Sequence, residues 1–124
     1  MVRGELLLRS GRADEGRPLL QGVQKALRAI PGPDAWIQAL FRLETIARMA
    51  RDAGDWELAE FTARQMMEHD AAYGGSRYAT GLVARHRCDA AAAALELHAA
   101  EGYWRDADPD LPELRELRQN ARLH

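Results

Sequence analysis

The chain has 124 residues, with 17 basic and 19 acidic side chains, a net charge of -2 and one cysteine. That is one domain's worth of protein, long enough to bury a core without a disulfide or a metal. The near-balanced charge argues against a nucleic-acid binder that works by phosphate neutralisation, and the lone Cys88 excludes a disulfide framework or a multi-cysteine zinc site within the chain. No apolar run approaches the ~18 residues that span a bilayer. The three leucines after Glu5 are too few for a signal-peptide core. A soluble, cytoplasmic, single domain is the expectation, with no nucleic-acid or membrane partner.

Helix formers dominate. Ala, Leu, Arg, Glu, Gln and Met are plentiful, β-branched residues are scarce, and Lys25 is the only lysine, a bias common in GC-rich bacterial genomes. Leu6, Leu7 and Leu8 predict a short first helix that ends at Gly11. A second runs to about Ile30 through Leu19, Leu20, Val23, Ala26 and Leu27, with Pro18 in its first turn, where a missing N–H costs least. Pro31-Gly32-Pro33 breaks the chain, and Asp34 is the candidate N-cap of the third helix. Its apolar residues Trp36, Ile37, Leu40, Phe41, Leu43, Ile46, Ala47 and Ala50 predict one broad buried face. Gly54 stops it. Asp55 caps a fourth helix carrying Trp56, Leu58, Ala59, Phe61, Ala63, Met66 and Met67, and Gly74-Gly75 marks the next connection. A fifth helix is expected from Ser76 to Arg87 and a sixth, capped by Asp89, from Ala90 to Trp104. Asp108-Pro109-Asp110 breaks the chain before a last short helix headed by Leu111, Leu114 and Leu117. Seven helices and no strands give an all-α fold.

The turns repeat. Gly54-Asp55 returns as Cys88-Asp89, and Gly11-Arg12-Ala13-Asp14 is an earlier copy at a longer interval. Small or apolar residues recur at matched places: Ala47, Gly54, Ala59 and Met66; then Gly81, Cys88, Ala93 and Ala100; and earlier Gly4, Gly11, Gly16 and Val23. The interval from Gly54 to Cys88 equals the period of a helix–turn–helix unit of the tetratricopeptide kind. With its closing segment from Tyr103 to Leu114, the chain resembles the C-terminal end of a bacterial tetratricopeptide array. The resemblance implies a right-handed stack of antiparallel helix pairs: a partial repeat over 1–33, repeats over 34–73 and 74–107, and a capping helix over 108–124. Two departures are plain. Cys88 replaces the turn glycine, at a cost on the order of 1 kcal/mol if its φ is positive, and Ala71 stands where a proline commonly ends the repeat.

In that family the first helix of each pair lines a concave surface that binds ligands. The implied inward positions are Glu5 and Arg9; Phe41, Glu44, Arg48, Arg51 and Asp52; and Tyr78, Leu82, Arg85 and His86. Arginines there can hold carboxylates in bidentate fashion, and Phe41 and Tyr78 offer apolar contact, which suits a peptide with acidic groups or a free C-terminus. The competing reading makes Glu44–Arg48 and Arg48–Asp52 intrahelical pairs on a solvated face. The lysines and asparagines of the family's carboxylate clamp are absent. Residues of catalytic type do not converge. His69, His86, His98 and His124 fall on different elements without metal-ligand spacing, Cys88 has no evident base, and Gly74-Gly75-Ser76 lacks the lysine of a phosphate loop. Trp36, Trp56 and Trp104 are expected in packing, as are Met49, Met66 and Met67. The expected function is a non-enzymatic scaffold for a protein or peptide partner, with no cofactor. The alternatives are a homo-oligomer formed through a terminal helix, with Leu6, Leu7 and Leu8 as the contact, and a metal or enzymatic domain built on His69, His86 and His98.

Overall fold

A computed structural model describes Gly4 and residues 13–105. These form five helices: α1 (Ala13–Ala29), α2 (Pro33–Asp52), α3 (Trp56–His69), α4 (Gly74–His86) and α5 (Ala90–Arg105). No strand occurs among the described residues, in keeping with the abundance of helix formers. The helices expected at Leu6–Leu8 and Leu111–Leu117 lie outside them. The chain divides between Asp70 and Ala71 into two compact units.

In the first unit, α2 and α3 form an antiparallel hairpin, and α1 packs on both. Leu40, Leu43, Ile46, Ala47 and Ala50 of α2 are buried, together with Leu58, Ala59, Ala63 and Met66 of α3 and Leu20 of α1. The expected broad face of α2 is narrower than its apolar sequence. Trp36, Ile37 and Phe41 remain 44%, 49% and 49% exposed, so only part of the arc is covered by neighbours. The start of α2 also differs from expectation. Gly32, at φ 108°, precedes Pro33 in the first helical turn, so Asp34 lies inside that turn, where its charge meets the positive end of the helix dipole. Pro18 falls deeper in α1 than its first described turn, and the helix continues past it.

The hairpin turn is the clearest product of local sequence. The N–H of Gly54 bonds to the carbonyl of Arg51 at 3.1 Å and that of Asp55 to the carbonyl of Ala50 at 2.8 Å. This double closure needs a left-handed residue, and Gly54 supplies it at φ 75°. Asp55 then caps α3, its carboxylate accepting from the Leu58 N–H at 3.1 Å.

The second unit is the hairpin of α4 and α5. Its turn repeats the first bond for bond, with every partner displaced by the same interval: Cys88 to Arg85, Asp89 to Ala84, and the Asp89 carboxylate to the Ala92 N–H. Cys88 adopts φ 62°, the left-handed conformation that glycine takes in the first turn. Gly74 and Gly75, expected as a connection, instead open α4. Gly74 lies against the Trp104 indole, and a Cβ on Gly81 would stand 2.7 Å from Leu97, so the small residue sets how closely α4 and α5 approach. Tyr78, Leu82, Ala100 and Trp104 make the core, with Leu97 packed against it. Arg77 fastens the rim, donating to the Ala71 carbonyl at 2.8 Å and pairing with Glu96 at 3.0 Å.

Replacing Cys88 by Gly is expected to raise unfolding stability by about 1 kcal/mol, and Gly54→Ala to lower it by a similar amount, because only Gly tolerates the left-handed turn without strain. Paired urea titrations read both shifts.

Candidate functional site

Three surfaces in the structure bear on function. The first is a polar seam between α1 and α3. Arg17 Nε donates to both carboxylate oxygens of Asp55, at 3.1 and 3.0 Å, and its Nη1 pairs with Glu57 at 3.2 Å. Farther along, Gln24 Nε2 donates to Thr62 Oγ1 at 3.0 Å, and Arg28 donates to Gln65 and to Glu68. The partners rise in number together, so α1 and α3 run parallel. Gln24 and Thr62 are fully buried, yet Gln24 Oε1 and Arg28 Nε have no hydrogen-bond partner among the described residues. Sequence reasoning missed this seam because it weighed only apolar periodicity. The signal was present: Arg17, Gln24 and Arg28 recur at helical intervals on one face, as do Asp55, Thr62 and Gln65.

The second surface is the outer stripe of α2. Phe41 and Arg48 are exposed and Glu44 and Arg51 half-buried, three or four residues apart, on a stripe that flanks the buried one. Asp52 is exposed at the end of the helix. Glu44, Arg48 and Arg51 each interact within the chain, so the stripe carries charges already engaged. The corresponding stripe of α4 is different. Tyr78 and Leu82 are 7% and 8% exposed, packed against Ala100 and Trp104, and offer no open contact. Arg85 and His86 are exposed at the end of α4. Glu5 and Arg9 lie outside the described residues, as do Leu6, Leu7 and Leu8.

The third surface is a cleft at the end of the first unit. The Trp36 ring stacks on His69 with centroids 3.7 Å apart and planes 23° from parallel. His69 Nε2 donates to the Trp36 carbonyl at 3.1 Å, which locks the C-terminus of α3 to the start of α2. Lys25, Arg28 and Ala29 of α1 and Glu68 complete a cavity of about 310 Å³. His69 is thus a packed core histidine, whereas His86 and His98 are exposed and His124 lies outside the described residues. Among the described residues no three His, Cys, Asp or Glu side chains cluster to hold a metal ion, and no helix is long and apolar enough to cross a membrane. Cys88 is exposed, its Sγ 4.0 Å from the His86 carbonyl oxygen.

Asp55→Ala removes a helix cap and the acceptor of Arg17 together. It is expected to cost about 2–3 kcal/mol in chemical denaturation. A double-mutant cycle with Arg17→Ala is expected to return a coupling of about 1 kcal/mol or more. Set against known family models, curated proteins and solved structures, the chain matches none.

Proposed function

We propose that the chain is a non-enzymatic protein-interaction module of tetratricopeptide type, and that it takes a peptide segment along the outer stripe of α2. The observation that carries this reading is the exposure of Ile37 and Phe41 at the head of a stripe that continues into Glu44, Arg48 and Arg51. Two large apolar side chains one turn apart offer anchoring on one rigid helix, with charged side chains following them along the stripe. The tetratricopeptide assignment draws support from the two turns, which share every bond at the period of that repeat. The same reading carries the right-handed stacking of helix pairs that the resemblance implies; the capping helix expected over 108–124 lies outside the described residues.

The site is smaller than the sequence suggests. Tyr78 and Leu82 drop out because they are packed in the second hairpin. The contacts left on the described residues are Phe41, Glu44, Arg48 and Arg51, with Ile37 added. Arg85 and His86 belong to the other unit.

The test is a panel of acidic peptides titrated against the chain and its variants by calorimetry. Phe41→Ala and Arg48→Glu are each expected to weaken binding about tenfold or more, the loss of an anchor or a charge reversal. Both side chains are exposed, so circular dichroism melts should stay close to those of the parent. Unchanged affinity in both variants refutes the reading.

A further inference from the structure

We propose that the Trp36 cleft is an anchor pocket for one apolar side chain of a bound peptide, flanked there by a side-chain carboxylate of the same peptide. This rests on the peptide-binding reading above and names the partner's chemistry at one end of it. The cavity measures about 310 Å³, at the small end of ligand pockets, which suits a side chain and not a whole helix. Its wall is an aromatic face already fixed in position. Trp36 is held by the His69 stack and by the bond from His69 to its carbonyl, yet 44% of its surface is open. A ring immobilised in advance loses little entropy when a partner packs on it. Ile37 and Phe41 follow on the same helix, each about half exposed, but on a face turned away from Trp36, so the cleft is an anchor point separate from the stripe.

Charge selects the flank. Within the cleft the Glu68 carboxylate is engaged by Arg28 at 3.0 Å. Lys25 is exposed at the rim and has no opposite charge paired with it among the described residues. The charge left unanswered at the cleft is therefore positive, and a partner carboxylate answers it. A partner lysine or arginine meets Lys25 as a like charge. An acidic residue beside an apolar one is the pattern the cleft fits.

The experiment uses the full chain, labelled with nitrogen-15, and two capped tetrapeptides. One is acetyl-Asp-Leu-Asp-Phe-amide and the other is acetyl-Asn-Leu-Asn-Phe-amide. Both ends are blocked, so only side-chain carboxylates are offered. The readout is the Trp36 indole N–H resonance, assigned by its loss in Trp36→Phe. The aspartate peptide is expected to move this resonance and to bind about fivefold more tightly than the asparagine peptide, the equivalent of roughly 1 kcal/mol for one ion pair. Lys25→Glu is expected to abolish that preference; the side chain is exposed, so the fold is not at stake. Equal affinities for the two peptides, or shifts confined to Trp56 and Trp104, overturn the proposal, as does a silent Trp36 resonance at millimolar peptide. Arg48→Glu separates the two readings. Binding of the aspartate peptide that survives Arg48→Glu and is lost in Lys25→Glu keeps the cleft and counts against the stripe. Binding lost in Arg48→Glu with Trp36 unmoved in the parent keeps the stripe and sinks the cleft.

Discussion

The carboxylate of Asp55 ties the first unit together. Its side chain is only 2% exposed and serves three helices at once. It follows the left-handed Gly54 that ends α2, it caps α3 through the Leu58 N–H, and it receives the Arg17 guanidinium from α1. Burying a carboxylate costs several kcal/mol unless charge and hydrogen bonds compensate it. Here a cation and a backbone donor do so. The angle at which α3 leaves the turn and the seat of α1 are thus set by one group.

The two hairpins share this turn and then diverge. In the second, Asp89 caps α5, but Cys88 occupies the left-handed position and no counterpart of Arg17 is found among the described residues. The divergence extends to the helix faces. Glu44 and Arg48 of α2 correspond, one repeat on, to Tyr78 and Leu82 of α4. The first pair stays at the surface, and the second fills the core with Trp104. One hairpin leaves its stripe at the surface, and the other uses it for internal packing. Gly81 makes this possible, because its missing Cβ lets Leu97 come close.

α1 is held differently from the hairpins. Leu20 is buried, but much of the contact with α3 runs through Arg17, Gln24 and Arg28. Two polar atoms of that seam lack partners among the described residues, each at a cost of about 1–3 kcal/mol. A polar seam gains less from burial than an apolar one and more from register, since each donor must meet its own acceptor. The cleft at Trp36 lies where this seam ends. Its cations come from α1, its aromatic wall from α2 and its histidine from α3.

The elements written in local chemistry were legible. Helix propensity gave the all-α class, and Gly54, Asp55 and Asp89 marked the turns and caps to the residue, because backbone conformation and capping depend on a few neighbouring side chains. The left-handed strain at Cys88 was readable for the same reason. Burial was legible only in part. Leu40, Leu43 and Ile46 could be placed inside from spacing alone, but Ile37 and Phe41 have the same periodicity and lie outside, while Tyr78 and Leu82, read as surface, lie within. Periodicity says which residues share a face of a helix. It does not say how wide an arc the neighbouring helices cover, and that is decided by where they pack. The cleft belongs wholly to this second kind of knowledge, for Lys25, Trp36 and His69 come from three helices and meet only once the core, the turn and the seam have packed those helices together.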